Sequence, residues 1–123
     1  MTNKEVVLRF YDEVFNGWDL THLDEMMKED YHQHSPEVEE GREGFKKFAQ
    51  GFFKIKPHME IVKIIEEGDM VCVFFKCLVG VAPGQFNKVF DLYRLEDGKL
   101  AEHWDCIMHY DGPAETASGN DVF

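Results

Sequence analysis

The chain has 123 residues, 44% of them hydrophobic and 30% charged, with a formal net charge of −11. That length supports one hydrophobic core and leaves no room for a second. The acidic surplus opposes both a sequence-independent grip on nucleic-acid phosphates and attachment to an anionic membrane surface.

The first predicted element is a helix. Thr2 and Glu5 form a T-x-x-E capping box, and Val7, Phe10, Tyr11 and Val14 recur at helical spacing until Asn16-Gly17 stops the run. Charges scattered through this start leave no uninterrupted apolar stretch of the signal-peptide kind, which places the chain in the cytoplasm. Asp19 is expected to cap a short second helix with Leu23, Met26 and Met27 inward, and a polar stretch, residues 30–36, follows it. Phe45, Phe48, Ala49, Phe52 and Phe53 then form the strongest helical stripe, ended by Pro57.

From residue 59 the period changes to two. Met59 to Glu66, Met70 to Gly80, Gln85 to Leu95 and Leu100 to Tyr110 read as four strands joined by hairpins at Glu67-Gly68-Asp69, Pro83-Gly84 and Glu96-Asp97-Gly98-Lys99. Helices first and strands second predict an α+β fold, an antiparallel sheet with helices on one face. Residues 1–111 form the domain, and 112–123, without periodicity, read as a loose tail. Cys72, Cys77 and Cys106 lie in apolar strand-like runs without metal or redox spacing and read as reduced core residues.

Chemistry is concentrated on the last strand, where His103, Asp105, Ile107 and His109 share one face and Glu102, Trp104, Cys106 and Met108 the other. The register of the hairpin at Asp97-Gly98 decides what joins them. A three-residue loop with a glycine bulge pairs Leu95 with Lys99, sets Asp91 opposite His103 and Val89 opposite Asp105, and brings Tyr93 onto the same face. A two-residue turn slips the pairing by one and sends Asp91 to the far face. Both are open; the first gathers the polar groups where they satisfy one another. Lys76, the one charge in an apolar strand, reads as a pocket cation paired with Asp91 or Asp105 or as a lysine that snorkels to water.

The segments Tyr31-His32-Gln33-His34-Ser35-Pro36 and Gly41-Arg42-Glu43-Gly44-Phe45, with the run from Phe90 through Asp97-Gly98-Lys99 to His103-Trp104-Asp105, resemble the SnoaL-like polyketide cyclases over nearly the whole chain. The resemblance implies a nuclear transport factor 2-like cone, N-terminal helices packed on a curved antiparallel sheet that encloses a pocket. In characterised members the Asp of the H-W-D triplet is the base of an intramolecular aldol condensation, and a polar residue fourteen positions earlier faces the pocket. Asp105 and Asp91 stand at those positions, which favours the first register. The family often has histidine where this chain has Phe74 and Lys76, so the pocket differs in charge.

The expected catalytic set is Asp105 as base with Asp91, His34 and His103 beside it, and Lys76, Phe74, His32, Tyr93 and Phe52 are expected to contact the ligand. His32 and His34 could join Asp105 around a metal, but two histidines close in sequence are a weak signal, so neither metal nor cofactor is expected. The function expected is cofactor-independent proton abstraction next to a carbonyl, leading to aldol-type cyclisation or isomerisation of a small apolar molecule. The alternative is a non-catalytic small-molecule-binding or assembly domain of the same fold. A homodimer through the face of Glu102, Trp104, Cys106 and Met108 is expected, with no nucleic-acid or membrane partner.

Overall fold

The computed structural model describes residues 1–80 and 82–123. Helix α1, Asn3–Phe10, opens on the expected capping box: the Thr2 hydroxyl accepts from the Glu5 N–H at 3.1 Å, and the Glu5 carboxylate accepts from the Thr2 N–H at 3.0 Å. One π-helical turn, Tyr11–Phe15, continues it and is closed by the Asn16 N–H donating to the Tyr11 carbonyl at 2.9 Å. The wider turn carries Phe10 and Tyr11, then Val14 and Phe15, all to the buried side. The Asn16 side chain then bonds the Met59 backbone in both directions, tying the helix end to the sheet.

Helix α2, Leu23–Met26, buries Leu23 and Met26 as expected, but Asp19 does not cap it. Asp19 accepts from the backbone and hydroxyl of Thr21, closing the preceding turn, and His22 occupies the cap position. The larger correction follows. Strand β1, Met27–Gln33, takes Met27 out of the expected second helix and runs into the first four residues of the stretch 30–36 expected to be irregular. It is an edge strand with a register shift between Met27 and His32, and only Met27 and Tyr31 along it are buried. An inward spacing of four residues gives no period-two signal.

Helix α3, Gly41–Phe52, passes into a 3-10 turn at Phe53–Ile55, and Lys56 at φ 50° precedes Pro57. The remaining strands are β2 (His58–Glu67), β3 (Met70–Leu78), β4 (Phe86–Glu96) and β5 (Lys99–Tyr110). The sheet order is β1-β5-β4-β3-β2, with β1 parallel to β5 and every other pair antiparallel. The sheet is therefore five-stranded and mixed where four antiparallel strands were expected. The α+β class stands, with the helices packed on the inner face around Val7, Phe10, Val14, Phe45 and Ala49.

The β4–β5 hairpin follows neither expected register throughout. Glu96 pairs with Lys99 across a two-residue turn in which Asp97 (φ 53°) and Gly98 (φ 74°) are both left-handed. By itself this turn sends Asp91 to the wrong face. Between the Leu95–Leu100 and Arg94–Glu102 pairs, however, Ala101 is an extra residue on β5, and Leu100 and Ala101 are both buried. That bulge restores the parity, so Asp91 pairs with Asp105 and Tyr93 with His103. The shared face is as expected; the device that makes it differs.

Past Tyr110 the chain forms no helix or strand and returns over the outer sheet face, where the Phe123 ring lies 5.7 Å from both Phe74 and Phe86. Among the described residues no helix is long and apolar enough to cross a membrane.

Candidate functional site

A cavity of about 200 Å³ opens between the helices and the inner sheet face. Its apolar wall includes Phe45, Phe48, Phe52 and Met59, brought there by the helical stripe of α3 and the start of β2; its polar wall includes Gln33, Asp91, His103 and Asp105. Cys77 also lines it, and burial pushes that thiol up to about 12, so it stays protonated and inert as a nucleophile.

Asp91 is the centre of a buried network. Its Oδ2 accepts hydrogen bonds from Tyr11 and from Tyr93, the latter at 3.0 Å, and the two phenol oxygens lie 2.9 Å apart. Its Oδ1 faces His103 Nε2 at 3.0 Å. Burial first, and the Asp91 charge second, push both phenols well above their ordinary range, so both remain hydrogen-bond donors. On the other side of the ring, His103 Nδ1 lies 2.6 Å from Gln33 Oε1. That oxygen already accepts the Ser35 N–H at 3.0 Å, which fixes it as an acceptor and makes Nδ1 the donor. Asp91 and His103 therefore spend their polar atoms on one another and on the scaffold.

Asp105 is different. It lies beside this pair, with one oxygen in a group whose atoms from Asp91, His103 and Asp105 all fall within 4.8 Å of one another, yet it is only half-buried and faces the cavity. Burial raises its carboxyl above the ordinary value, the His103 ring and the Ser35 hydroxyl pull it part of the way back, and the Asp91 and Glu37 charges raise it further. A carboxylate in that setting can take a proton from a bound molecule. Tyr31 lines the same cavity, stacks on His103 with centroids 6.3 Å apart, and is kept protonated by burial and by the charges of Asp91 and Asp105. Its phenol can donate to a developing oxyanion.

The cavity thus brings together Asp91, His103, Asp105, Tyr93 and Phe52 of the expected residues, and four others lie elsewhere. Lys76 and Phe74 are on the outer face: their inward neighbours Val73, Phe75 and Cys77 pair with Asp91, Val89 and Asn87. The Lys76 ammonium sits 4.9 Å from the centre of the Phe86 ring and makes no ion pair with Asp91 or Asp105. Because β3 is apolar on both faces, the sequence could not say which side its one charge occupies. His34 follows β1, and its side chain turns outward to Glu102 at 2.7 Å and stacks on Trp104; His32 is exposed and bonds Glu40. Sequence reasoning missed Tyr11, Tyr31 and Gln33. Tyr31 and Gln33 alternate with His32, and that alternation was the usable signal once residues 27–33 are known to be a strand.

Asp91, His103 and Asp105 also satisfy the spacing of a metal set. Asp91 already serves two tyrosines and a histidine, so an ion there would have to break the network, and the donors do not fit one.

A family model described as SnoaL-like polyketide cyclase matches residues 5–111. No curated protein matches the sequence. Among solved structures the chain is similar to IdmH, a proposed polyketide cyclase from Streptomyces antibioticus, at 22% identity and TM-score 0.71 over 87% of this chain and 92% of that one. It is similar to an NTF2-like protein of unknown function from Cytophaga hutchinsonii at 20% identity and TM-score 0.71, covering 88% and 91%. A proposed ketosteroid isomerase from Kribbella flavida matches at 14% identity and TM-score 0.76, covering 93% and 83%. At these identities the likenesses establish the fold, which is the nuclear transport factor 2-like one expected from the sequence.

Proposed function

Since the chain belongs to the SnoaL-like polyketide cyclase family, we propose that it is a cytoplasmic, cofactor-independent enzyme that abstracts a proton next to a carbonyl group of a small apolar molecule, with Asp105 as the base. The observation that carries this reading is the contrast between the two carboxylates. Asp91 is saturated by Tyr11, Tyr93 and His103, whereas Asp105 faces an apolar cavity with its proton affinity raised by burial.

In the proposed reaction the Asp105 carboxylate takes the α-proton, and the C–H electron pair becomes the enolate, whose oxygen the Tyr31 phenol steadies. The enolate carbon then attacks a second carbonyl of the same molecule and Asp105 returns its proton to the new alkoxide, or the proton returns to a different carbon and the double bond has moved. Asp91 and His103 are positioning residues here: the first holds the second, and the His103 ring lowers the cost of a charged Asp105. A cavity of about 200 Å³ lies below the roughly 300–1,000 Å³ usual for drug-sized ligands, which favours a compact substrate over a multi-ring one.

The test is exchange of α-protons for deuterium in a panel of compact apolar ketones and 1,3-diketones, followed by NMR. Wild type should accelerate exchange in at least one, and Asp105→Asn should lose that acceleration by roughly 10²-fold. Binding of panel members without any accelerated exchange would replace the enzyme reading by that of a non-catalytic ligand-binding domain.

A further inference from the structure

The strand end that lends Gln33 to the cavity wall carries a second constellation on its opposite side. Along residues 32–34 the side chains alternate, so that as Gln33 turns inward to His103, His32 and His34 come out together on the outer side. In the parallel pairing of β1 with β5, His32 is the register partner of Glu102. One ring nitrogen from each histidine and one Glu102 oxygen lie within 4.8 Å of one another. His34 Nε2 is 2.7 Å and His32 Nε2 4.0 Å from the same Glu102 Oε2. These distances bracket the edge of about 3.4 Å that a tetrahedral zinc ion with bonds near 2.1 Å requires of its ligands.

Orientation separates this cluster from a chance meeting of exposed side chains. His32 Nδ1 is held by Glu40 Oε2 at 2.6 Å, which leaves Nε2 as the nitrogen directed to the cluster, and the other Glu40 oxygen accepts the Gln33 N–H at 2.7 Å. Glu102 Oε1 accepts from Arg94 Nε at 3.0 Å, which leaves Oε2 for the histidines. The His34 ring lies flat on Trp104, 4.8 Å away and 4° from parallel. Each ligating side chain is thus aimed by a partner of its own: a carboxylate for His32 and a guanidinium for Glu102, hydrogen bonds of the kind that support ligands in metal sites, and an indole face for His34. The carboxylate is mostly covered, at 18% exposure, while both histidines reach solvent, so an ion can enter.

We propose that His32, His34 and Glu102 form a binding site for one divalent transition ion of the zinc class, a two-histidine, one-carboxylate set with the remaining position open to water. The ion replaces the His34–Glu102 hydrogen bond and displaces the proton it carried. It braces β1 against β5 one residue on either side of Gln33, the group that fixes His103 in the cavity wall, so its first consequence is mechanical. The sequence offered Asp105 as the third ligand; the strand parity that turns Asp105 inward delivers Glu102 instead.

The experiment is calorimetric titration of zinc chloride into tag-free, chelator-treated protein, repeated on His32→Ala, His34→Ala, Glu102→Gln and, as a control, His22→Ala, with circular dichroism confirming that each variant is folded. The expected result is saturable uptake of one ion per chain, weakened tenfold or more in the first three variants and unchanged in the fourth. In a Trp18→Phe background, nickel or copper should quench Trp104 fluorescence with the same variant dependence. No saturable uptake, or uptake insensitive to His32→Ala and His34→Ala, overturns the assignment.

Discussion

The His103 imidazole and the Asp91 carboxylate, twelve residues apart in the chain, meet at 3.0 Å with only 9% and 6% of their side-chain surfaces exposed. Asp91 also satisfies two buried phenols. Asp91→Ala strands both phenol donors and leaves His103 Nε2 without its partner, and should cost about 3–5 kcal/mol of stability, the usual penalty for breaking a buried pair. Asp91→Asn keeps the shape and should cost less, about 1–3 kcal/mol. Urea unfolding midpoints decide it: a neutral Asp91→Ala would mean that the network does not anchor the fold.

Asp105 makes the opposite prediction. Its folded-state proton affinity is raised, chiefly by burial, so the native chain binds that proton more tightly than the unfolded one. Stability must then fall as pH rises from the ordinary carboxylate range through the raised value, and stay lower above it. Asp105→Asn removes that loss. Near neutral pH the variant should melt higher than wild type, by at most about 4 °C for so solvent-accessible a group, and the gap should close toward pH 3. A variant that melts lower at neutral pH would make Asp105 an anchor rather than a strained base.

Lys76 lies over Phe86 and near Phe123 on the outer face, not in the cavity. Lys76→Met should therefore leave the Asp105 titration, followed by carboxyl carbon NMR, where it is in wild type. A shifted Asp105 titration would contradict the placement of β3.

Gly98 at φ 74° and Asp97 at φ 53° make the two-residue turn that precedes the Ala101 bulge. A β-branched side chain is strained there, so Gly98→Val should cost about 1–2 kcal/mol. Chemical denaturation measures it, and an unaffected midpoint would mean that the hairpin closes by another loop.

The outer face forms apolar rows across the sheet, with Phe74, Phe90 and Cys106 in one and Ile65, Cys72, Leu92 and Trp104 in the next. Ile65, Phe90 and Met108 on this face are 56%, 46% and 58% exposed. We propose a second copy of the chain as the cover of this patch. Sedimentation at micromolar concentration should give twice the 14.4 kDa chain mass, and Phe90→Asp should return it to the monomer. A wild-type species of single-chain mass would refute the dimer.

Local signals carried the sequence far. Thr2 and Glu5 announced the first helix because a capping box is complete within four residues. The phenylalanine stripe from Phe45 to Phe53 announced α3, and the turn residues punctuated β2 to β5, because these features are satisfied by near neighbours. Parity along β5 likewise joined His103 and Asp105 on one face before any contact was known.

What only the tertiary structure decided was which face is inside and what crosses it. β1 is invisible locally, since its order comes from pairing with β5 and from two buried side chains four residues apart. That pairing turned His32 and His34 outward and Gln33 and Tyr31 inward. The faces of β3 are both apolar, so the side of Lys76 was fixed by its partners on β4 and not by its own pattern. Asp91 came to face Asp105 through a turn and a bulge whose one-residue shifts compensate, and a period of two records only the sum of such shifts.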